Sequence, residues 1–173
     1  MYKALIKFDI FSSFFQTSIG IAEENCLQIQ GGYKDFKIVE FTSSDKPVLE
    51  KGIHVNPATN LEFHLFGPHV ENLDDLPHFQ NGKSQALDMM SKYPGGQEAN
   101  LAIIDTNLSI EESLGKQLID NLTNAKVLAK NGFVLLFDKN NNHKSVAVWK
   151  EHLMKKIGFV IVSEYNQKNG EKA

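Results

Sequence analysis

Two short, almost uninterrupted apolar runs constrain this chain most: Asn100-Leu-Ala-Ile-Ile-Asp105 and Phe133-Val-Leu-Leu-Phe137. A strand without polar alternation is buried on both faces, and that environment is the interior of a parallel sheet covered by helices. Between the runs, Leu114, Leu118, Leu122, Ala125 and Leu128 recur every three or four residues. This period predicts a helix over 110–130, closed by Asn131-Gly132. Strand, helix, strand at this spacing is a parallel crossover of right-handed sense.

The rest of the chain extends the same alternation. Phe36 to Phe41 and Asn60 to Phe66 read as strands, and Ala86 to Met90 as a shorter third. Thr42 to Gly52 reads as a turn and short helix, and Val70 to Phe79 as a second short helix. Ser145 to Lys156 carries Val146, Trp149 and Leu153 on one helical side, and Gly158 to Ser163 reads as a last strand. Near the start, Phe15, Ile19, Ala22 and Cys26 share one face of a predicted helix over 14–26, part of a helical lead-in spanning about 3–30. The expectation is one α/β domain over 1–166, a mostly parallel sheet flanked by helices, with a disordered polar tail over 167–173.

Composition narrows the function. All 18 basic residues are lysine, and arginine, the side chain suited to a bidentate grip on phosphate, is absent. With a net charge of −3 the chain shows no polyanion-binding signature, so no nucleic-acid partner is expected. The single cysteine, Cys26, excludes an internal disulfide and fits a reducing, cytosolic setting. No apolar run reaches the ~20 residues that span a bilayer, and charge interrupts the first residues too early for a signal peptide.

The order of pieces resembles a known family. A Lys37-Ile-Val-Glu40 strand is followed later by Asn100-Leu-Ala-Ile-Ile-Asp-Thr-Asn-Leu-Ser109, a long helix and Ala129-Lys-Asn-Gly-Phe-Val-Leu-Leu136. Together these resemble the Rossmann-like fold of S-adenosylmethionine-dependent methyltransferases. More narrowly, they resemble the non-catalytic pseudo-methyltransferase domain of animal, especially insect-type, fatty acid synthases and related reducing polyketide synthases. The likeness runs over roughly residues 4–165 and is most specific over 99–137. Such domains end in an antiparallel strand pair, whereas here one strand, Gly158 to Ser163, follows the last helix, so the terminal hairpin is expected to lack a strand.

A working member of that family needs a glycine-rich turn after the first strand, because side chains there collide with the cofactor. It also needs an acid at the end of the second strand for the ribose hydroxyls. Here Ser44 and Lys46 stand at the turn and Gly67 at the strand end. Asp88 is the candidate for a surviving third-strand acid. The resemblance therefore implies a scaffold domain with no catalytic, cofactor-binding or metal-binding residue and no cofactor of its own. Its neighbours would be the pseudo-ketoreductase and dehydratase domains of a cytoplasmic, homodimeric synthase that makes fatty acids. The alternatives are a divergent small-molecule methyltransferase and a free-standing interaction domain.

Other signals have plainer readings. Gly82-Lys83-Ser84 ends like a phosphate-binding loop, but Pro77 stands where that loop needs its first glycine. His54, His64, His69 and His78 are close in sequence without a metal-binding spacing. Cys26 reads as a buried thiol, Glu71, Asp74 and Asp75 as a solvated acidic face, and Phe8, Phe11, Phe14 and Phe15 as core or a docking patch.

Overall fold

The computed structural model describes residues 2–8, 19–23, 26–29, 34–43, 53–55, 59–67, 76, 82–88, 99–108, 128–138, 143–155 and 159–166. These form ten strands and a helix. The strands are β1 (Tyr2–Phe8), β2 (Ile19–Glu23), β3 (Cys26–Ile29), β4 (Asp35–Phe41), β5 (Ile53–Val55), β6 (Asn60–Gly67), β7 (Gly82–Asp88), β8 (Ala99–Asp105), β9 (Leu128–Asp138) and β10 (Phe159–Asn166). The helix is α1 (His143–Met154).

The main sheet has seven strands in the order β10-β1-β9-β8-β4-β6-β7. Five of them, β7, β6, β4, β8 and β9, run parallel. This is the α/β sheet that the apolar runs predict. In β8 and β9, Leu101, Ala102, Ile103, Ile104, Val134, Leu135, Leu136 and Phe137 are all fully buried. Burial on both faces explains why neither run alternates. Numbered among themselves by chain position, the five read 3-2-1-4-5. The order therefore reverses between β4 and β8.

The amino-terminal segment departs from expectation. It is not a helical lead-in: β1 lies antiparallel between β9 and β10. Residues 19–23 and 26–29 are strands of a separate three-stranded sheet ordered β2-β3-β5, so the helix predicted over 14–26 does not form there. Ile19 and Ile21, then Leu27 and Ile29, satisfy a period of two as well as Ile19, Ala22 and Cys26 satisfy a helical one. Gly20 and the β-branched residues tip this short stretch to strand once Ile19 pairs with Ile29.

The expected gap at the end of the sheet is filled from the opposite terminus. β10 finds its antiparallel neighbour in β1, where Ala4 faces Glu164 and Ile6 faces Ile161. The last strand therefore has an antiparallel neighbour, supplied by residues 2–8.

Three boundaries also move. The third strand is Gly82–Asp88 rather than 86–90, and β10 runs three residues beyond the predicted Ser163. Leu128 to Lys130 belong to β9, not to the preceding helix. Asn131-Gly132, read as a helix stop, lies instead at an irregularity where β9 spends five steps, Leu128 to Phe133, against two on β8. The body of that helix, the two short helices, the glycine-poor turn at Ser44 and Lys46 and the tail over 167–173 lie outside the described residues.

Gly82 has a steric reason to be glycine. A Cβ added to it would lie 2.2 Å from the backbone oxygen of Leu61, its partner on β6. The obstacle is backbone, so the strand itself must shift. Gly82→Ala is expected to lose about 1–3 kcal/mol of stability, the usual range for overpacking. Urea denaturation measures it, and an unchanged midpoint would contradict the close pairing.

Candidate functional site

In an open parallel sheet, ligands bind outside the carboxyl ends of the strands, at the point where strand order reverses. Here that point lies between the ends of β4 and β8, at Ser43 and Asp105. Asp105 is buried, and its carboxylate is already engaged by the chain. Oδ2 accepts the Ser43 backbone N–H at 3.1 Å and the Ser43 hydroxyl at 2.6 Å. Oδ1 accepts the Asn107 N–H at 3.0 Å, and the Asp105 carbonyl accepts the Leu108 N–H at 3.0 Å. The acid thus forms its own turn after β8 and fastens that turn to the end of β4. Bonds to a carboxylate are among the stronger hydrogen bonds, and the 2.6 Å hydroxyl contact is of that kind.

A second cluster stands beside it at the end of β9. The Ser145 hydroxyl, in the first turn of α1, donates to Asp138 Oδ2 at 2.7 Å. Its oxygen also lies 2.7 Å from Thr106 Oγ1. Each hydroxyl has one proton. With the Ser145 proton on Asp138, the Thr106 proton points to Ser145, and the 3.1 Å approach of Thr106 Oγ1 to the Phe137 carbonyl is the lesser branch. Asp138, Ser145 and Thr106 form a short relay of polar contacts inside apolar packing, with Asp138 fully buried. The Trp149 indole N–H closes the group by donating to the Leu108 carbonyl at 2.9 Å.

The structure places the sequence-predicted positions as follows. Gly67 is the buried last residue of β6, and Asp88 stands opposite it in the register of β6 and β7. The candidate acid and the glycine thus stand at the neighbouring ends of two strands. His54 lies on β5 and Cys26 opens β3, opposite Glu23, so Cys26 belongs to a strand rather than a helix. Phe8 ends β1. His69, His78, Glu71, Asp74, Asp75, Phe11, Phe14 and Phe15 lie outside the described residues.

His64 has a partner that sequence reading missed. It is buried on β6, with Nε2 2.6 Å from Glu62 Oε1, two residues away on the same face of the strand. That bond, chiefly, holds the Glu62 carboxyl below its usual range, and nearby Lys37 and Lys83 act in the same direction against partial desolvation. A carboxyl depressed by folding adds stability above its unfolded value and loses that contribution as pH falls through the folded one. Removing the charge with Glu62→Gln should therefore lower the melting temperature at pH 7 and lower it by less at pH 3. Melting curves at the two pH values test this, and an equal difference at both would count against the pair.

Among the described residues, no group of three or more His, Cys, Asp or Glu side chains is arranged to hold a metal ion. Among the same residues, no helix is long and apolar enough to cross a membrane. No family model, curated protein or solved structure matches the chain.

Proposed function

We propose that the chain is a non-catalytic α/β module with a methyltransferase-like architecture, acting as a structural domain of a cytoplasmic, multifunctional fatty acid synthase. The observation that carries the non-catalytic part is the state of Asp105. The carboxylate at the reversal of strand order is spent on Ser43 and Asn107, three hydrogen bonds within the chain. Those bonds take three of the roughly four acceptor sites of the carboxylate, so little of it is left to a ligand. Gly67 at the end of β6 offers no carboxylate to a ribose hydroxyl. The 3-2-1-4-5 order and the antiparallel β1 beside β9 and β10 support the architectural part. The synthase context rests on the sequence resemblance, as do the dehydratase and pseudo-ketoreductase neighbours and the homodimeric parent.

Calorimetry with S-adenosylmethionine and its demethylated product tests the reading. No binding heat is expected with either ligand at millimolar concentration. A saturable isotherm that Asp105→Asn abolishes would replace this reading with that of a divergent methyltransferase. Affinity capture from the native cytosol tests the synthase context, where dehydratase- and ketoreductase-type domains are the expected companions.

A further inference from the structure

We propose that a second site, at the opposite end of the sheet, binds a neutral polyhydroxyl ligand of monosaccharide size. A cavity of about 590 Å³ opens at the amino ends of β4, β6, β7 and β8, within the size range of small-molecule sites. Among the described residues its charged lining is Asp35, Lys37, Glu62 and Lys83, joined by the amides of Asn60 and Asn100. This end of the sheet is remote from the Asp105 turn, so the inference stands apart from the reading of that crevice.

Two carboxylates against two ammonium groups leave this lining without net charge, and strand register interleaves them. Asp35 is paired with Asn60, Lys37 with Glu62, and Glu62 with Lys83. Alone, the row is an ordinary cross-strand charge ladder. The cavity beside it and its leftover hydrogen-bonding capacity, which is of both kinds, make it a site. A carboxylate has roughly four acceptor positions. Asp35 spends one on Asn60 Nδ2 at 3.2 Å, and Glu62 Oε1 is taken by His64 at 2.6 Å, so each acid keeps room to accept. Asn100 Oδ1 accepts the backbone N–H of Lys37 at 2.9 Å, which leaves the amide NH₂ of Asn100 to donate. The exposed Lys83 ammonium lies 3.8 Å from Glu62, too far for a hydrogen bond, so its protons face solvent or a ligand.

A lone ion of either sign would meet a like charge in this row. It would also use only half of the lining, since an anion accepts and an ammonium ion donates. A hydroxyl does both, with one proton and two lone pairs on one oxygen. Neighbouring hydroxyls of a sugar ring can donate to Asp35 or Glu62 while they accept from Asn100 or Lys83. A zwitterion fits less well, because Glu62 already stands between two lysines with His64 on its Oε1. Charge is balanced within the row, whereas hydrogen-bonding capacity is left over.

The test is a ¹H–¹⁵N NMR titration of the full chain with D-glucose, D-galactose and D-mannose. At least one should give saturable shifts at the amides of Lys37, Glu62, Lys83 and Asn100. Its affinity should be the same at low and high salt, because a neutral ligand has no charge to screen. Sodium benzoate, inorganic phosphate and glycine are the comparisons, and none should saturate. Lys83→Met, which removes a donor, and Asp35→Ala, which removes an acceptor, should each weaken binding about threefold to tenfold. Lys83→Gln removes the charge but keeps a donor, so its effect should stay below about twofold. Lys83 and Asp35 are exposed, and preserved spectral dispersion identifies the variants that fold. Saturation by none of the sugars, shifts confined to other amides, affinity that falls with salt, or tighter binding of any comparison ligand would each overturn the proposal.

Discussion

Trp149→Ala is expected to remove most of the stability of this protein. Trp149 is 1% exposed and sits on α1 between the fully buried Val146 and Leu153. Truncating a buried tryptophan costs about 3–5 kcal/mol through lost transfer energy and the cavity left behind. The Leu108 carbonyl would also lose the indole N–H that satisfies it, a further cost of about 1–3 kcal/mol. Against a typical total of about 5–15 kcal/mol, that leaves a chain near its unfolding midpoint. Trp149→Phe separates the two effects: it keeps most of the packing and loses the hydrogen bond, so its cost should be about 1–3 kcal/mol. Because Trp149 is the sole tryptophan, circular dichroism during urea unfolding is the suitable observable. A loss under 1 kcal/mol for the alanine variant would mean that α1 is not seated on the sheet through this side chain.

Asp105→Ala should be the next most damaging change. It removes the acceptor for two backbone N–H groups and one hydroxyl at once. Hydrogen bonds to charged groups contribute about 1.5–3 kcal/mol each, but these three share one carboxylate at a half-buried turn. Their joint loss is expected to be about 3 kcal/mol rather than the full sum. Asp105→Asn keeps one acceptor oxygen and should lose roughly half as much, on the same hydrogen-bond scale. The local signature is faster amide hydrogen exchange at Ser43 and Asn107, which lie on different strand ends 64 positions apart. Unaltered protection at Ser43 would show that the carboxylate does not tie β4 to β8.

The two carboxylates also explain where sequence reading reached the candidate sites and where it stopped. Asp105 was visible as the end of an apolar strand, but not as the partner of Ser43, because nothing local to either residue encodes the reversal of strand order between them. Glu62 and His64 were visible as alternate residues of one strand, and their shared face follows from the period of two. Lys37 and Lys83 were not, since their places beside Glu62 depend on the register of β4 and β7 against β6. The same limit applies to the amino terminus. Tyr2-Lys-Ala-Leu-Ile-Lys-Phe8 is a modest strand signal interrupted by lysines, and only a vacant position between β9 and β10 turns it into part of the main sheet.

By itself the sequence determined the parallel interior. Continuous apolar runs at 100–105 and 133–137 have no low-energy home except a sheet buried on both faces, and hydrophobic burial is a local property of each run. Tertiary structure alone decided that β1 and β10 pair at one side of the sheet, that the Asp105 carboxylate is engaged by Ser43, and that Lys37, Glu62 and Lys83 stand side by side on three strands. Each of these is a contact between residues far apart in sequence, fixed by strand order and register, and none leaves a periodic signature in the segments it joins.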